Sequence, residues 1–506
     1  MKLLIAVMMM VRWCSTGLRP CFVMHRLLAV LLISGWGAAA AVAAPLGQDN
    51  ARHLLNRAGL GASIAEVETY ARLTRAQATE RLLAVKGGVV PAPGWVEEPY
   101  FPPGRFRTLD AETRTRLQAE RIERSIGLRE WWLRQMLATP DPLRERMTLF
   151  WHNHFVSGMQ KVLSPQLMYR QNVLLREHAL GNFGTLLHAV ARDPAMLRYL
   201  DSAFNRKGRP NENFARELME LFTLGEGHYT EQDVKEVARA FTGWSLNPET
   251  GGFVFRPAVH DDGPKTVLGR QGNFGGDEVL DILLERPETA TLIAGKLWRE
   301  FVSPQPVPAE VARIADALRG SGYDIRAALR VLFNSDAFYA PANRGVLVKS
   351  PVDLVAGTLR QFEFEVPDVL PFVLAMGQFG QVLFAPPNVK GWPGGELWIN
   401  ATTLLRRKQL LDTLFQDRLA VGPARMNNMM AAAAAPAATP AAARRARART
   451  AMSQVRFDGD AWLARLNGVP PERAVLAVAP VHAAGGSGSG MDDLRALVLD
   501  PAYQLR

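Results

Sequence analysis

One short segment groups side chains that could carry acid–base or metal chemistry. If Pro210–Phe222 is helical, Asn213, Arg216, Glu217 and Glu220 fall at i, i+3, i+4 and i+7 and form one polar stripe. An amide, a guanidinium and two carboxylates this close together suit a proton-transfer site, a polar ligand or a metal ion. The alternative is a solvated helix face carrying an Arg216–Glu220 pair.

The two carboxylates of the stripe define a candidate divalent-cation site. Glu217 and Glu220 meet across one helical turn, and Asp201 or His154 from neighbouring helices could complete the ligand set. Because the second position of the pair is Glu rather than His, Ca²⁺ or Mg²⁺ is favoured over iron or zinc. Equally, Arg216 and nearby amides could neutralise the acids in a structural network.

His154 is a candidate proton relay. It belongs to a His152-x-His154 pair, but on a helix two such residues point about 200° apart, so both cannot bind one ion. His154 falls within the apolar stripe of a helix that begins at Asp141-Pro142, whereas His152 falls outside it. A buried His154 that is hydrogen-bonded to one partner is the alternative to a ligand or acid–base role.

Oxygen-bearing side chains cluster just before the stripe. Asp201, Asn205, Asn211 and Asn213 suit Ca²⁺ or a polar ligand, and they also suit turns and helix caps. The cap interpretation is favoured, because Asn211 or Asn213 must begin the helix.

Residues 251–276 interrupt the helical pattern. Phe253–Phe255 and 266–268 favour strands, which predicts a small inserted β-hairpin. His260 and Asp261 at its tip could form an acid–base pair with Lys265, or they could serve the turn alone.

A Gly/Pro/Asn/Trp-rich loop covers residues 377–400. Within it, Lys390, Trp392 and Trp398 could stack on a sugar or another flat ligand. The alternative is a packed lid whose tryptophans fill gaps between helices.

The remaining pattern predicts an all-α protein. A multi-helix body covers residues 48–424 with the hairpin inserted, an Ala/Pro/Arg-rich linker covers 425–452, and a helical tail covers 453–506. If the tail docks on the body, we expect its apolar side chains Trp462, Leu463, Leu466, Leu494 and Leu497 to be buried there.

The amino terminus predicts export. Residues 1–43 combine a basic segment, an apolar run and an Ala-x-Ala cleavage pattern, and Met24 is a plausible true start. No later segment reaches 18 uninterrupted apolar residues, so no stable membrane span is expected after cleavage. We therefore expect a periplasmic or secreted protein; the alternative is an uncleaved anchor.

Composition excludes several classes of protein. Both cysteines, Cys14 and Cys21, lie in the segment expected to be removed, which excludes disulfides, thiolate metal sites and cysteine nucleophiles from the mature chain. The net charge of +10 falls to +2 once the leader and Arg444, Arg445, Arg447 and Arg449 of the linker are set aside, so no nucleic-acid partner is indicated. Motifs of zincin proteases, elbow-type serine hydrolases, P-loop enzymes and Rossmann enzymes are absent from the sequence.

Several blocks together resemble the domain-of-unknown-function 1800 family of bacterial exported proteins. The matching blocks are His53–Gly61, Phe150–Phe155, Asp193–Leu197 with Leu200-Asp201, Asn211–Gly225, Tyr229–Val234, Thr242–Trp244, His260-Asp261, Pro387–Gly395 and Asp500–Arg506. The resemblance implies a helical exported protein, and it implies a partner from a co-exported family that looks like the sulfatase/phosphatase class. It assigns no catalytic residue.

Two functional hypotheses follow. In the first, the protein is an exported hydrolase of an envelope or extracellular substrate. Glu217 and Glu220 would supply acid–base or metal-ligand oxygens, Arg216 would bind an anionic group, and His154 would relay protons. In the second, the protein is a non-catalytic binding or assembly protein that partners a co-exported enzyme. A pocket joining Glu217, Glu220 and His154 would favour the first hypothesis, and separate ion pairs would favour the second.

Overall fold

The computed structural model describes residues 44–84, 87–88, 90–416, 439–482 and 490–506. The predicted export signal, residues 1–43, lies outside these ranges, as does the first half of the predicted linker. Within the described part, Pro45–Arg506 forms one unit.

Helices dominate the described residues and confirm the all-α prediction. The first ten are α1 (Gly47–Ala58), α2 (Ile64–Ala71), α3 (Arg75–Leu83), α4 (Pro103–Phe106), α5 (Ala111–Ala138), α6 (Pro142–His154), α7 (Met159–Val162), α8 (Pro165–Glu177), α9 (Phe183–Ala191) and α10 (Pro194–Tyr199).

The second half of the chain is equally helical. Its helices are α11 (Glu212–Glu217), α12 (Glu231–Ala240), α13 (Gly276–Glu285), α14 (Pro287–Phe301), α15 (Pro308–Gly320), α16 (Ile325–Asn334), α17 (Asp336–Tyr339), α18 (Pro351–Gln361), α19 (Leu370–Gln378), α20 (Ala401–Phe415), α21 (Pro440–Gln454), α22 (Gly459–Ala464), α23 (Pro471–Val475) and α24 (Gly490–Leu499). Short 3₁₀ turns cover Gly94–Glu97, Ser202–Phe204, Pro257–Val259, Pro341–Asn343, Gly395–Trp398 and Pro501–Gln504.

Local sequence signals start the helices that matter most below. Pro142 occupies the first turn of α6, where its missing N–H costs nothing. At the start of α18, the Ser350 hydroxyl accepts from the Asp353 N–H, while the Asp353 carboxylate accepts from the Ser350 N–H, each at 3.0 Å. This capping box orients the Asp353 carboxylate through local hydrogen bonds, without help from other segments of the chain.

Helix α11 does not end at Glu217 but widens into a π-helix over Leu218–Thr223. The Thr223 hydroxyl donates to the Leu218 carbonyl at 2.6 Å, across five positions. π-turns are rare, and they often occur at functional sites. The Leu221 carbonyl lies in the last turn of this segment, where helix carbonyls have no partner within the helix, and it accepts from Lys296 of α14.

The inserted β-structure is small, as predicted, but its strand partners differ from the prediction. Strand β1 (Trp244–Leu246) pairs with β2 (Phe253–Phe255), and β3 (Lys265–Val267) pairs with β4 (Arg270–Gly272), both antiparallel. The strands predicted at 253–255 and 266–268 therefore belong to two separate ribbons. Each strand pairs with its nearest neighbour in sequence, which keeps both connecting loops short.

The tail packs on the body through the side chains that its apolar pattern indicated. Trp462, Leu466, Leu494 and Leu497 are buried, and Leu463 is partly buried against the same core. The Trp462 indole N–H donates to the Gln361 carbonyl of α18 at 3.1 Å. The tail thus contributes to the core of the unit.

Residues 440–452, predicted as linker, lie in α21. Their alanines and arginines are strong helix formers. Ion pairs hold the helix to the body: Arg447 contacts Glu130 of α5 at 3.0 Å and Asp368 at 2.7 Å. None of the helices in the described ranges combines the length and the apolar character that crossing a bilayer requires.

Candidate functional site

A cleft of about 430 Å³ brings together five cationic side chains from distant parts of the chain. They are Arg146 of α6, Lys296 and Arg299 of α14, Lys390, and Arg506 at the end of the tail. Lys390 belongs to residues 387–398, the part of the connection between α19 and α20 that we call the 387–398 loop. Two carboxylates, Glu300 and Asp353, line it as well. Its volume lies within the range of small-molecule sites. We call it the basic cleft.

The floor of the basic cleft is a closed ring of four charges. Arg506 contacts Glu300 at 3.0 Å and Asp353 at 3.4 Å, while Arg146 contacts the same two carboxylates. Burial alone would raise the pKa of Asp353, but Arg146 and Arg506 hold it well below its ordinary value. These two arginines are therefore already neutralised by the protein.

The rim of the cleft is different, because its cations lack close acidic partners. Arg299 is exposed and has no carboxylate partner in the described part of the chain. Lys390 is 66% exposed and reaches only loosely toward acids, with its ammonium 3.9 Å from Glu220 and 3.8 Å from Glu226. Positive charge therefore faces the open space of the cleft.

Lys296 links the cleft to the π-helix. Its ammonium donates to the Leu221 carbonyl at 2.8 Å and to Nδ1 of His154 at 2.9 Å. Burial, assisted by the nearby Arg299, lowers the pKa of Lys296 to about 8. Burial first, and Lys296 second, hold the pKa of His154 well below its ordinary value, so its ring is neutral and accepts at Nδ1.

The 387–398 loop forms one wall of the cleft. The Asn153 side-chain carbonyl of α6 accepts from the Trp392 N–H at 2.8 Å. This contact requires glycine at position 391, where φ is +85° and a Cβ atom would lie 2.8 Å from the Asn153 backbone oxygen. Trp392 and Trp398 are each 5% exposed, so their rings pack within the wall.

His152, predicted to lie outside the apolar stripe, is fully buried. Trp132, Phe384 and Trp392 surround its ring at centroid distances of 5.3, 5.5 and 5.6 Å. Neither ring nitrogen has a hydrogen-bond partner among the described residues. Burial lowers the pKa of His152 to about 3, so the ring is a neutral part of the aromatic packing beneath the loop.

The polar stripe splits into separate interactions. Arg216 pairs with Glu231 at 2.6 Å and more loosely with Glu212 at 3.5 Å, and not with Glu220. Glu220 instead accepts from the Tyr229 hydroxyl at 2.9 Å. Asn213 is exposed, and its amide donates weakly to the Leu200 carbonyl at 3.4 Å.

Glu217 differs from the rest of the stripe, because its half-buried carboxylate has no hydrogen-bond or ion-pair partner within the described ranges. Burial, together with the neighbouring Glu220, raises its pKa, and Lys390 partly offsets this effect. Lys390 also lines the basic cleft, so Glu217 and Glu220 lie just beyond the rim of the cleft. His154 lines the cleft itself.

The oxygen-rich loop before the stripe forms caps and turns. Asn211 caps α11 by accepting from the Asn213 N–H at 3.0 Å, and its amide donates to the Asp201 carbonyl at 3.0 Å. The Asp201 carboxylate pairs with Lys161 at 2.7 Å. Across the described residues, no three His, Cys, Asp or Glu side chains are grouped so that they could hold a metal ion.

His260 and Asp261 are held apart by different partners. Arg239 grips the Asp261 carboxylate at 2.8 and 3.1 Å and lowers its pKa to about 2. Nδ1 of His260 lies 2.8 Å from the Thr242 carbonyl. The Lys265 ammonium donates to the backbone carbonyls of Asp261 and Gly263 at 2.6 and 3.0 Å, so these groups stabilise the turn.

Sequence reasoning missed most of the basic cleft. Arg146, Lys296, Arg299, Asp353 and Arg506 are ordinary charged residues of four separate segments. Of these five, only Lys296 and Arg299, three positions apart on α14, are related by local spacing. One available signal was the Ser350-x-x-Asp353 capping box, which marks a carboxylate fixed at a helix start. The other was Lys390, placed in a loop rich in glycine, proline and tryptophan.

Fold and site together define an all-α protein with small β-ribbons and a cationic cleft to which the tail contributes Arg506. The family model described as "Protein of unknown function (DUF1800)" matches residues 53–489, and the chain belongs to this family. No curated protein and no solved structure matches the chain.

Proposed function

We propose that this is an exported binding protein whose basic cleft holds an anionic group of an envelope or extracellular ligand. One observation carries the proposal. Lys296, Arg299 and Lys390 bring positive charge to a cleft of about 430 Å³, and the nearest carboxylates of that cleft are already engaged with Arg146 and Arg506. An anion entering there meets Arg299, which has no acidic partner among the described residues, together with Lys296 and with Lys390, which contacts Glu220 and Glu226 only at 3.9 and 3.8 Å.

The ligand class follows from the donors. Two ammonium groups and a guanidinium suit a sulfate, a phosphate or a carboxylate. The leader-like segment at residues 1–43 supports a location outside the cytoplasm. A partner of the sulfatase/phosphatase-like class would act on esters of these same anions, so the cleft would hold its substrate or its product.

Titration calorimetry with inorganic sulfate and inorganic phosphate tests this proposal. We expect saturable binding of at least one of these anions. Arg299→Gln and Lys390→Gln should each weaken it about tenfold, because each removes a charge-assisted contact.

Lys207→Gln is the matched control, since Lys207 is an exposed lysine paired with Asp262 away from the cleft. Its affinity for the anion should equal that of the unchanged protein. Equal weakening in all three variants, or no saturable binding of either anion, would contradict the proposal.

A second candidate function is hydrolysis, with Glu217 as general acid or base. The observation that favours it is the unpartnered Glu217 carboxylate, whose pKa burial and Glu220 raise, beside a lysine that lines the cleft. In this case 4-nitrophenyl sulfate or 4-nitrophenyl phosphate should be hydrolysed. Glu217→Gln should abolish the reaction, and the exposed Glu249→Gln should not. Undiminished hydrolysis by Glu217→Gln would remove this candidate.

A further inference from the structure

A second cavity, of about 350 Å³, lies between α1 and the tail. Its charged lining consists of Asp49, Arg52, Arg344, Glu472, Arg473 and Arg506. We call it the tail cavity. It shares Arg506 with the basic cleft, but its other lining residues are different.

Most charges of the tail cavity are already paired. Asp49 contacts Arg52 at 3.3 Å and Arg473 as well. Arg506 belongs to the charge ring at the floor of the basic cleft. His53, which also lines the cavity, adds no charge, because burial and the nearby Arg57 lower its pKa to about 3.

Two side chains of opposite charge make no ion pair among the described residues, whereas Arg52 and Arg473 share Asp49. Arg344 donates to the neutral Asn50 side-chain oxygen and has no carboxylate partner in the described part of the chain. Glu472 has no cationic partner there, and the two side chains make no ion pair with each other. Both are half-buried. A half-buried charge that faces a cavity without a partner is costly unless a ligand or water satisfies it.

The rest of the cavity is apolar. Leu476, Ala477, Val478, Ala479 and Pro480 form one wall. This wall lies close to the body, because a Cβ atom at Gly345, where φ is +63°, would collide with Val478. The segment 476–480 is therefore a packed surface that suits an aliphatic group.

We propose that the tail cavity binds a zwitterion with an aliphatic body, either a free α-amino acid or a short peptide. A carboxylate on Arg344 and an ammonium on Glu472 would satisfy both unpaired charges at once. A simple anion would leave Glu472 unsatisfied, a simple cation would leave Arg344 unsatisfied, and a neutral ligand would leave both charges unsatisfied. This site is independent of the anion site proposed for the basic cleft.

Calorimetry on the full chain at pH 7 tests the inference with four probes. L-valine and L-alanyl-L-valine are zwitterions with different charge separations, and they distinguish an amino acid from a peptide. N-acetyl-L-valine lacks the ammonium charge, and L-valinamide lacks the carboxylate. We expect at least one zwitterion to bind saturably. Each analogue keeps only one of the two charges, and both should bind at least about tenfold more weakly.

Variants assign the two charges. Glu472→Gln should weaken zwitterion binding about tenfold and remove the preference over N-acetyl-L-valine. Arg344→Gln should remove the preference over L-valinamide, and Arg344→Lys, which keeps the charge beside Asn50, should largely restore it. Asp316→Asn, an exposed carboxylate of α15, is the control and should bind normally.

Two results would overturn the inference. One is the absence of saturable binding by either zwitterion, and the other is an analogue that binds as tightly as the zwitterions. Arg299→Gln of the basic cleft should leave valine binding unchanged, so each proposed site can fail without the other.

Discussion

The floor and the rim of the basic cleft use the same kinds of side chain under opposite conditions. On the floor, Arg146 and Arg506 alternate with Glu300 and Asp353, and every charge has two partners. On the rim, Arg299 has no acidic partner among the described residues, and Lys390 is close to 4 Å from its nearest acids.

This difference gives the two parts of one cavity different roles: the floor stabilises the fold, and the rim is available to bind a ligand. A buried charge ring holds distant segments in one arrangement, and removing one member leaves uncompensated charge in the interior. A partly exposed, unpaired cation contributes little to stability, but it keeps its hydrogen-bond donors available for a ligand. Mutations in the floor should therefore lower the free energy of unfolding, whereas mutations in the rim should lower the affinity for an anion.

The largest expected effect comes from breaking the floor. Asp353→Asn removes one carboxylate from the ring and leaves Arg146 and Arg506 to share Glu300, which should cost about 3–5 kcal/mol of folding free energy. Urea denaturation and the thermal midpoint measure this loss. Asp316→Asn should change neither, and an equally small effect of Asp353→Asn would show that the ring is not needed for stability.

Asp193, a buried carboxylate that has no cationic partner among the described residues, provides a direct comparison with Asp353. Asp193 is 2% exposed and accepts from the Gln171 amide at 2.7 Å and from the Met196 N–H at 2.8 Å. Burial raises its pKa to about 7, whereas the cation-paired Asp353 shifts the other way. Asp353 thus contributes to the free energy of unfolding above its unfolded pKa of 3.8, and this contribution is lost in acid. The contribution of Asp193 has the opposite pH dependence: it is present at low pH and is lost as the pH rises from 3.8 through 7.

Asp193→Asn tests this sign. The variant keeps an oxygen that can cap α10 but cannot ionise, so it should gain about 2 kcal/mol relative to the unchanged protein between pH 5 and pH 8. Unfolding measured at both values gives the difference. A variant whose stability relative to the unchanged protein is the same at pH 5 and pH 8 would contradict the assignment.

A smaller effect is expected at the boundary between floor and rim, where Lys296 titrates. Its pKa of about 8 means that the cleft loses one positive charge as pH rises from 7 to 9. Sulfate affinity should then fall about tenfold over this interval. Lys296→Gln should bind weakly at both pH values and lose most of the pH dependence, whereas pH dependence retained in the variant would point to another group.

The smallest expected effect is on the stability of the rim. Arg299→Gln and Lys390→Gln should each change the free energy of unfolding by no more than about 0.5 kcal/mol, because neither side chain is buried in an ion pair. The same urea series that measures Asp353→Asn provides the test. A large destabilisation by either variant would show that the residue stabilises the fold, as the charge ring of the floor does.

Local signals predicted the helices well. Pro142 marked the first turn of α6, where the helix was predicted to begin. Phe253–Phe255 was correctly placed as a strand, yet its partner was missed, because strand pairing depends on a neighbour that period-two patterning does not specify. The arginines of α21 were assigned to a linker, since no apolar stripe marks that helix.

The candidate site was less accessible from sequence than the fold. The polar stripe was found because its four residues lie on eight consecutive positions, and local spacing is what a single sequence displays. It did not reveal that Arg216 turns to Glu231 or that Lys296 reaches His154. Contacts between distant segments depend on packing, and periodicity carries no information about them.

The position of Arg506 has a kinetic consequence. Its guanidinium contacts the Arg57 carbonyl, 449 positions earlier, and completes the ring that begins with Arg146. Contacts between such distant positions form slowly, because a long loop must close first. We therefore expect the cleft to be among the last features to assemble when the chain folds, after the helices that supply Arg146 and Asp353 have formed.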